Sequence, residues 1–220
     1  IMHERGKKRP GEYAKTLMLV GNPNVGKSVI FGTLTGKYAT VSNYPGTTVE
    51  VTVGAASIHG EKYEVIDTPG INNLVPQSDD ERVTRDILLN QKSDAIILVC
   101  DAKNLRRSLL IAFQIAEMGL PFSIALNMFD EAASRGINID YKRLKEIFAV
   151  DVVPTIATQK KGIDALLKAV PHQAKSHFSF SYSGDIEDGI STIEKLLPHA
   201  NISKRATAIM LLSGDDTLIH

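Results

Sequence analysis

Short apolar runs alternate along the chain with longer stretches in which apolar residues recur at intervals of three and four. The first pattern suits buried strands and the second suits helices with one face in a core, so the alternation predicts strands joined by crossover helices in a mostly parallel sheet. Strands are expected at Leu17–Val20, Val51–Ile58, Tyr63–Ile66, Ala95–Cys100, Phe122–Leu126 and Val152–Pro154. Only His59-Gly60-Glu61-Lys62 separates the second from the third, too few residues for a helix. Those two should form an antiparallel hairpin, giving a six-stranded α/β sheet with one antiparallel strand. Helices are expected at Ser28–Leu34, Asp80–Asn90, Leu105–Met118, Tyr141–Phe148 and Ile163–Val170. From about Pro171 the character changes: Lys175–Gly184 is rich in serine and aromatic residues, and the helical patterns Ile186–Leu197 and Ser203–Leu212 follow without strands. The expected organisation is a flexible tail over 1–14, an α/β domain over 15–171, and a small, incomplete helical domain over 172–220.

Composition narrows the partners. Lys plus Arg and Asp plus Glu both number 25, so no bulk field draws the chain to nucleic acid or anionic lipid, and a charged ligand must be held locally. The only cysteine, Cys100, lies in an apolar run and reads as a core residue, which excludes an internal disulfide and suits a reducing compartment. No apolar stretch approaches the roughly 20 residues of a spanning helix, and the first residues lack a signal-peptide core, so this piece is expected to be soluble. The basic cluster Lys7, Lys8 and Arg9 belongs to the solvated tail. His3, His59, His172, His177, His199 and His220 show no metal-ligand spacing and read as surface or tail residues.

The strongest chemical signal is Gly21-Asn22-Pro23-Asn24-Val25-Gly26-Lys27-Ser28, a phosphate-binding loop that leaves a strand and enters a helix. Its glycines let the backbone fold tightly, so that amides and the helix N-terminus face phosphate. Lys27 can then reach the β and γ phosphates, and the Ser28 hydroxyl can ligate Mg²⁺. At the end of the Tyr63–Ile66 strand stands Asp67-Thr68-Pro69-Gly70, where Asp67 can hold a Mg²⁺-bound water and the Gly70 amide can meet a γ-phosphate. Asn127-Met128-Phe129-Asp130 ends another strand, and the Asp130 carboxylate can accept both donors of the guanine N1–H and N2–H₂ edge, which adenine lacks. Ile156-Ala157-Thr158 follows the last strand, where a backbone amide can touch guanine O6. Loops at the carboxyl ends of strands are where open α/β sheets bind ligands, so all four should converge.

Between the first helix and the hairpin, residues 36–48 read as an irregular polar loop that orders around a γ-phosphate. Within Gly46-Thr47-Thr48 the Mg²⁺ ligand is assigned to Thr48, with Thr47 or Thr40 as alternatives. Ile71 follows Gly70 where many small GTPases place a water-positioning glutamine, so hydrolysis should be slow or helped by another cation. Asn24, with the backbone carbonyls of Ser42 and Tyr44, is the candidate for holding a monovalent ion. The alternative is that Asn24 caps its own turn.

These motifs resemble one family. Asn43-Tyr44-Pro45-Gly46-Thr47-Thr48-Val49-Glu50, Asp101-Ala102-Lys103-Asn104-Leu105-Arg106-Arg107, Ala125–Ala132 and Val153–Thr158, taken with the phosphate loop, are similar to the N-terminal GTPase domain of the FeoB ferrous iron transporters. The likeness covers about Leu17 to Val170, and Arg205–Asp215 looks like part of that family's helical domain. The resemblance implies the P-loop GTPase fold and GTP hydrolysis to GDP with Mg²⁺. It also implies stimulation by K⁺, and a place on the cytoplasmic face of the bacterial inner membrane. It implies partners too: a transmembrane iron-permeation domain outside this chain, small cytosolic proteins of the same transport system, and room for a homo-oligomer. Met128, replacing the lysine of the general NKxD motif, is usual in that family; Tyr44 and Ser42 stand where it often has Trp and Gly. A ribosome-assembly GTPase is the alternative, weakened by the acidic pair Glu187-Asp188 where an RNA-binding module would be basic. A switch module whose hydrolysis is incidental is a third reading.

Overall fold

The computed structural model describes residues 15–36, 39–215 and 218. The expected tail, with His3, lies outside the described residues, as do Lys37, Tyr38 and His220.

Seven strands form one sheet in the order β2-β3-β4-β1-β5-β6-β7. They are β1 (Lys15–Gly21), β2 (Ala39–Asn43), β3 (Glu50–Ile58), β4 (Glu61–Asp67), β5 (Ala95–Asp101), β6 (Ser123–Asn127) and β7 (Val152–Pro154). β3 runs antiparallel to both neighbours, while β1 pairs in parallel with β4 and β5, and β6 with β5 and β7. The β3–β4 turn is the pair His59-Gly60, both at positive φ, the twist that two-residue hairpins require.

The sheet has seven strands where the pattern predicts six, and the extra one corrects the irregular loop expected over 36–48. Every residue of β2 is exposed and the strand lies at the sheet edge; its alternation, Ala39 and Val41 against Thr40 and Ser42, is too short to separate a strand from a loop. Backbone pairing with β3, in register from Ala39 with Gly54 to Asn43 with Glu50, holds it in place.

Alternate residues of the central strands enter two cores. Leu17 and Leu19 face α1 (Lys27–Thr35) and α6 (Ile163–Ala169); Met18 and Val20 join the core containing α2 (Asp79–Asn90), α3 (Leu105–Glu117) and Phe148 of α5 (Tyr141–Phe148). The short α4 (Phe129–Ser134) was not expected; it begins inside the Asn127–Asp130 motif. α7 (Gly184–Leu196) and α8 (Lys204–Leu212) pack together, and Ile202, Ala206 and Met210 join the same core as α3. Arg205 fastens this helical pair to the end of α3, donating to Glu117 at 3.2 Å and to Glu187 at 2.8 Å. Among the described residues no helix is long and apolar enough to cross a membrane. Cys100 is fully buried, and burial pushes its thiol up to about 12, as a core residue requires.

Candidate nucleotide site

Parallel pairing lines up the strand ends that carry the motifs. Leu19 lies beside Asp67, Gly21 beside Val99, and Asp101 beside Asn127. The phosphate loop therefore rises between the Asp67 and Asn127 loops.

The Ser28 hydroxyl donates to Asp67 Oδ2 at 2.9 Å, and the Lys27 ammonium lies 3.2 Å from Oδ1. That ammonium is in ion-pair range but makes no hydrogen bond, which leaves the buried Oδ1 without a donor. A buried carboxylate oxygen left unsatisfied beside a hydroxyl is an arrangement that a hydrated divalent cation completes. Thr68 is pinned by its hydroxyl to Leu19 O at 2.9 Å and Pro69 accepts from Thr84 at 3.1 Å, so the backbone beneath Gly70 is fixed. Gly70 presses on the phosphate loop: a Cβ there would lie 2.8 Å from Pro23 Cα.

Asn127 staples the base side together. Its Nδ2 donates to Val25 O at 2.9 Å, and its Oδ1 accepts from the Ala157 amide at 3.0 Å and the Thr155 hydroxyl at 3.3 Å. Gly26, at φ 89°, is needed because a Cβ there would sit 2.4 Å from Asn127 Nδ2. Met128 adopts the left-handed conformation as the residue before α4, which sets Asp130 in that helix's first turn. Asp130 is exposed, which leaves its carboxylate open to a ligand. In the segment expected to offer one amide to the base edge, the Ile156 amide donates to Lys161 O and the Ala157 amide to Asn127, while Thr158 is exposed.

The switch residues stand elsewhere. Tyr44 O accepts both the amide and the hydroxyl of Thr47 at 3.0 Å, Thr47 in turn accepts from the Val49 amide at 3.2 Å, and Ser42 sits opposite Val51 in the ladder. Thr48 is exposed and lines a cleft of about 510 Å³ with Gly46, Thr47, Asp79 and Arg82, making no hydrogen bond to Ser28 or Asp67. Asn24 is exposed at φ 62° and its side chain makes no hydrogen bond, so the turn-capping alternative is not what this structure holds. Ile71 is fully buried and apolar, so its side chain offers a water molecule no polar group. Among the described residues no group of His, Cys, Asp or Glu could hold a metal by itself.

One cluster was not legible in the motifs. Asn22 Nδ2 donates to Ile71 O at 2.9 Å, Asn22 Oδ1 accepts from Ser108 at 2.8 Å, and Asn72 accepts from Arg107 Nε at 3.0 Å. These residues sit 49, 86 and 35 positions apart, a juxtaposition that only the fold reveals.

Comparison with known proteins agrees with this geometry. The family model described as ferrous iron transport protein B matches residues 15–170, and the model of the FeoB cytosolic helical domain matches residues 182–220. The Fe(2+) transporter FeoB of Staphylococcus aureus is 36% identical over 201 residues, covering 88% of this chain. The chain spans about 30% of that curated relative's length. A crystal structure of a mutant S. thermophilus NFeoB bound to GDP superposes with a TM-score of 0.82 at 36% identity, covering 92% of this chain and 81% of that one. The cytosolic domain of T. maritima FeoB in its GMPPNP form gives 0.84 at 33% identity, covering 91% and 81%. With a family model over most of its length, the chain belongs to the ferrous iron transport protein B (FeoB) family.

Proposed function

We propose that the chain binds GTP with Mg²⁺ and hydrolyses it to GDP, as the cytosolic regulatory part of a ferrous iron membrane transporter. The observation that carries this reading is the meeting of Lys27, Ser28 and Asp67 under the phosphate loop, with one carboxylate oxygen left unsatisfied. Lys27 serves the β and γ phosphates, and Ser28, Thr48 and Asp67 hold Mg²⁺, Asp67 through water. The metal supplies charge neutralisation on the phosphate oxygens. Asp130 reads the guanine edge, and the O6 contact falls to Thr158 or to an Ala157 amide shared with Asn127. Bringing Thr48 to Ser28 takes the 44–49 turn, which joins β2 to β3, out of its own hydrogen bonds.

Ile71 gives no polar help to the attacking water, so a K⁺ ion held by Asn24 and the carbonyls of Ser42 and Tyr44 supplies the missing positive charge. Tyr44 O must first release Thr47, which couples that site to the same opening of the turn. The G domain occupies 15–171 and the helical domain 172–220, on the cytoplasmic face of the bacterial inner membrane. The transmembrane iron-permeation domain and small cytosolic proteins of the same transport system are its partners.

Calorimetric titration with non-hydrolysable GTP and ATP analogues in Mg²⁺ tests the reading. Binding of the GTP analogue with no measurable ATP analogue binding is expected; equal affinities would remove the role given to Asp130.

A further inference from the structure

We propose that Asn72 and Arg107 form a clamp that positions the Gly70 amide for a γ-phosphate, so that both act as positioning residues distinguishing GTP from GDP. The proposal rests on the guanine-nucleotide reading of this site.

Asn72 Oδ1 accepts three donors: Asn22 Nδ2 at 3.3 Å, Arg107 Nε at 3.0 Å and Arg107 Nη2. A carboxamide oxygen has two lone pairs, so Asn22 takes one and the two Arg107 N–H groups share the other. The Asn72 amide donates to Glu81 Oε1 at 3.0 Å. One residue earlier, the Ile71 amide donates to Gly21 O at 3.0 Å and the Ile71 carbonyl accepts from Asn22. Residues 71 and 72 are thereby held by the phosphate loop, by α2 and by α3, while Gly70 rests on Pro23.

Only the γ-phosphate separates GTP from GDP, and the Gly70 amide is the donor in this loop that the proposed reading assigns to that group. The diphosphate is assigned to the glycine-loop amides and Lys27; Asn72 reaches that loop at the Asn22 side chain, which keeps its bonds to Ile71 O and Ser108 when Asn72 is truncated. Loosening residue 72 therefore weakens the triphosphate state and spares the diphosphate state. Arg107 suits the task because its planar fork delivers two N–H groups to one oxygen, which a lysine cannot reproduce. Arg107 is also exposed, so replacing it leaves the buried core intact.

The test uses the whole chain, with Arg107→Met, Arg107→Lys and Asn72→Ala, and measures affinity for GDP and for a non-hydrolysable GTP analogue by calorimetry. GDP affinity should stay within about twofold of the parent while GTP-analogue affinity falls about three- to tenfold in Arg107→Met and Asn72→Ala, with partial recovery in Arg107→Lys. Arg107→Met combined with Asn72→Ala should lose no more than the larger single loss, since both remove one interaction. An unchanged ratio of the two affinities overturns the clamp, as does an equal loss for both nucleotides, the signature of general destabilisation. A parent that binds neither nucleotide overturns the guanine-nucleotide reading, and the clamp with it.

Discussion

The Ser28 hydroxyl donates to Asp67 Oδ2 at 2.9 Å, which joins the first turn of α1 to the end of β4 across 39 positions of sequence. The contact exists because β1 and β4 are parallel neighbours, so the residues following each strand end up side by side. It places in contact the two groups proposed to hold Mg²⁺. Asp67→Asn keeps the shape but removes the charge. It should raise the Mg²⁺ concentration for half-maximal GTP turnover about ten- to hundredfold. Titration with MgCl₂ at fixed GTP reads this, and an unchanged midpoint would take Asp67 out of the metal site.

The proposed base selection rests on one exposed carboxylate, Asp130. Asp130→Asn replaces an acceptor pair with a mixed donor and acceptor, matching the extra carbonyl of xanthine better than the amine of guanine. Preference should shift from GTP toward XTP by at least about tenfold, since each wrong pairing leaves a polar group unsatisfied. Competition binding measures the ratio, and a variant that still prefers GTP would mean that Asp130 does not read the base.

The monovalent ion is tested by rate and by residue. GTP turnover in K⁺ should exceed that in Na⁺ by about tenfold or more, the scale of one preorganised charge at a transition state. Asn24→Ala should remove that difference while GDP affinity holds. Equal rates in the two salts for the parent would sink the idea, and stimulation surviving in Asn24→Ala would relocate the ligand.

The helical pair has its own acid sensitivity. Hydrogen bonding to Arg205, then to the Tyr182 amide, pulls the Glu187 carboxyl from 4.5 down to about 2. A carboxylate whose folded value is depressed stabilises the fold fully above its unfolded value and loses that contribution as pH falls toward the folded one. Melting temperature should therefore drop between about pH 5 and pH 2 partly through this pair, and Glu187→Gln should flatten that part of the curve. Parallel acid profiles for variant and parent would show that the clasp does not titrate as described.

Much of this was legible in the sequence because the signals were local. β1, β5 and β6 are apolar runs, His59-Gly60 announces the β3–β4 hairpin, and Gly21–Ser28 carries its spacing in one stretch. β2 is hard to read because it is a five-residue edge strand whose only apolar residues are Ala39 and Val41, and α4 because it spans only six residues inside a loop motif. The Tyr44-Pro45-Gly46-Thr47 turn, by contrast, carries its signature in the Pro-Gly pair, with Gly46 at positive φ; what the sequence hides is where that turn holds Thr48. The Asn22, Asn72 and Arg107 cluster needed tertiary structure, since its members come from three separate segments.

Phosphate release from GTP by the whole chain in Mg²⁺ and K⁺, compared with ATP and with Lys27→Ala, tests the central claim most directly. The account predicts turnover of GTP, none of ATP above background, and loss of about two orders of magnitude or more in nucleotide affinity when the Lys27 charge is removed. Release from GTP no faster than without protein, or activity undiminished in Lys27→Ala, would contradict it.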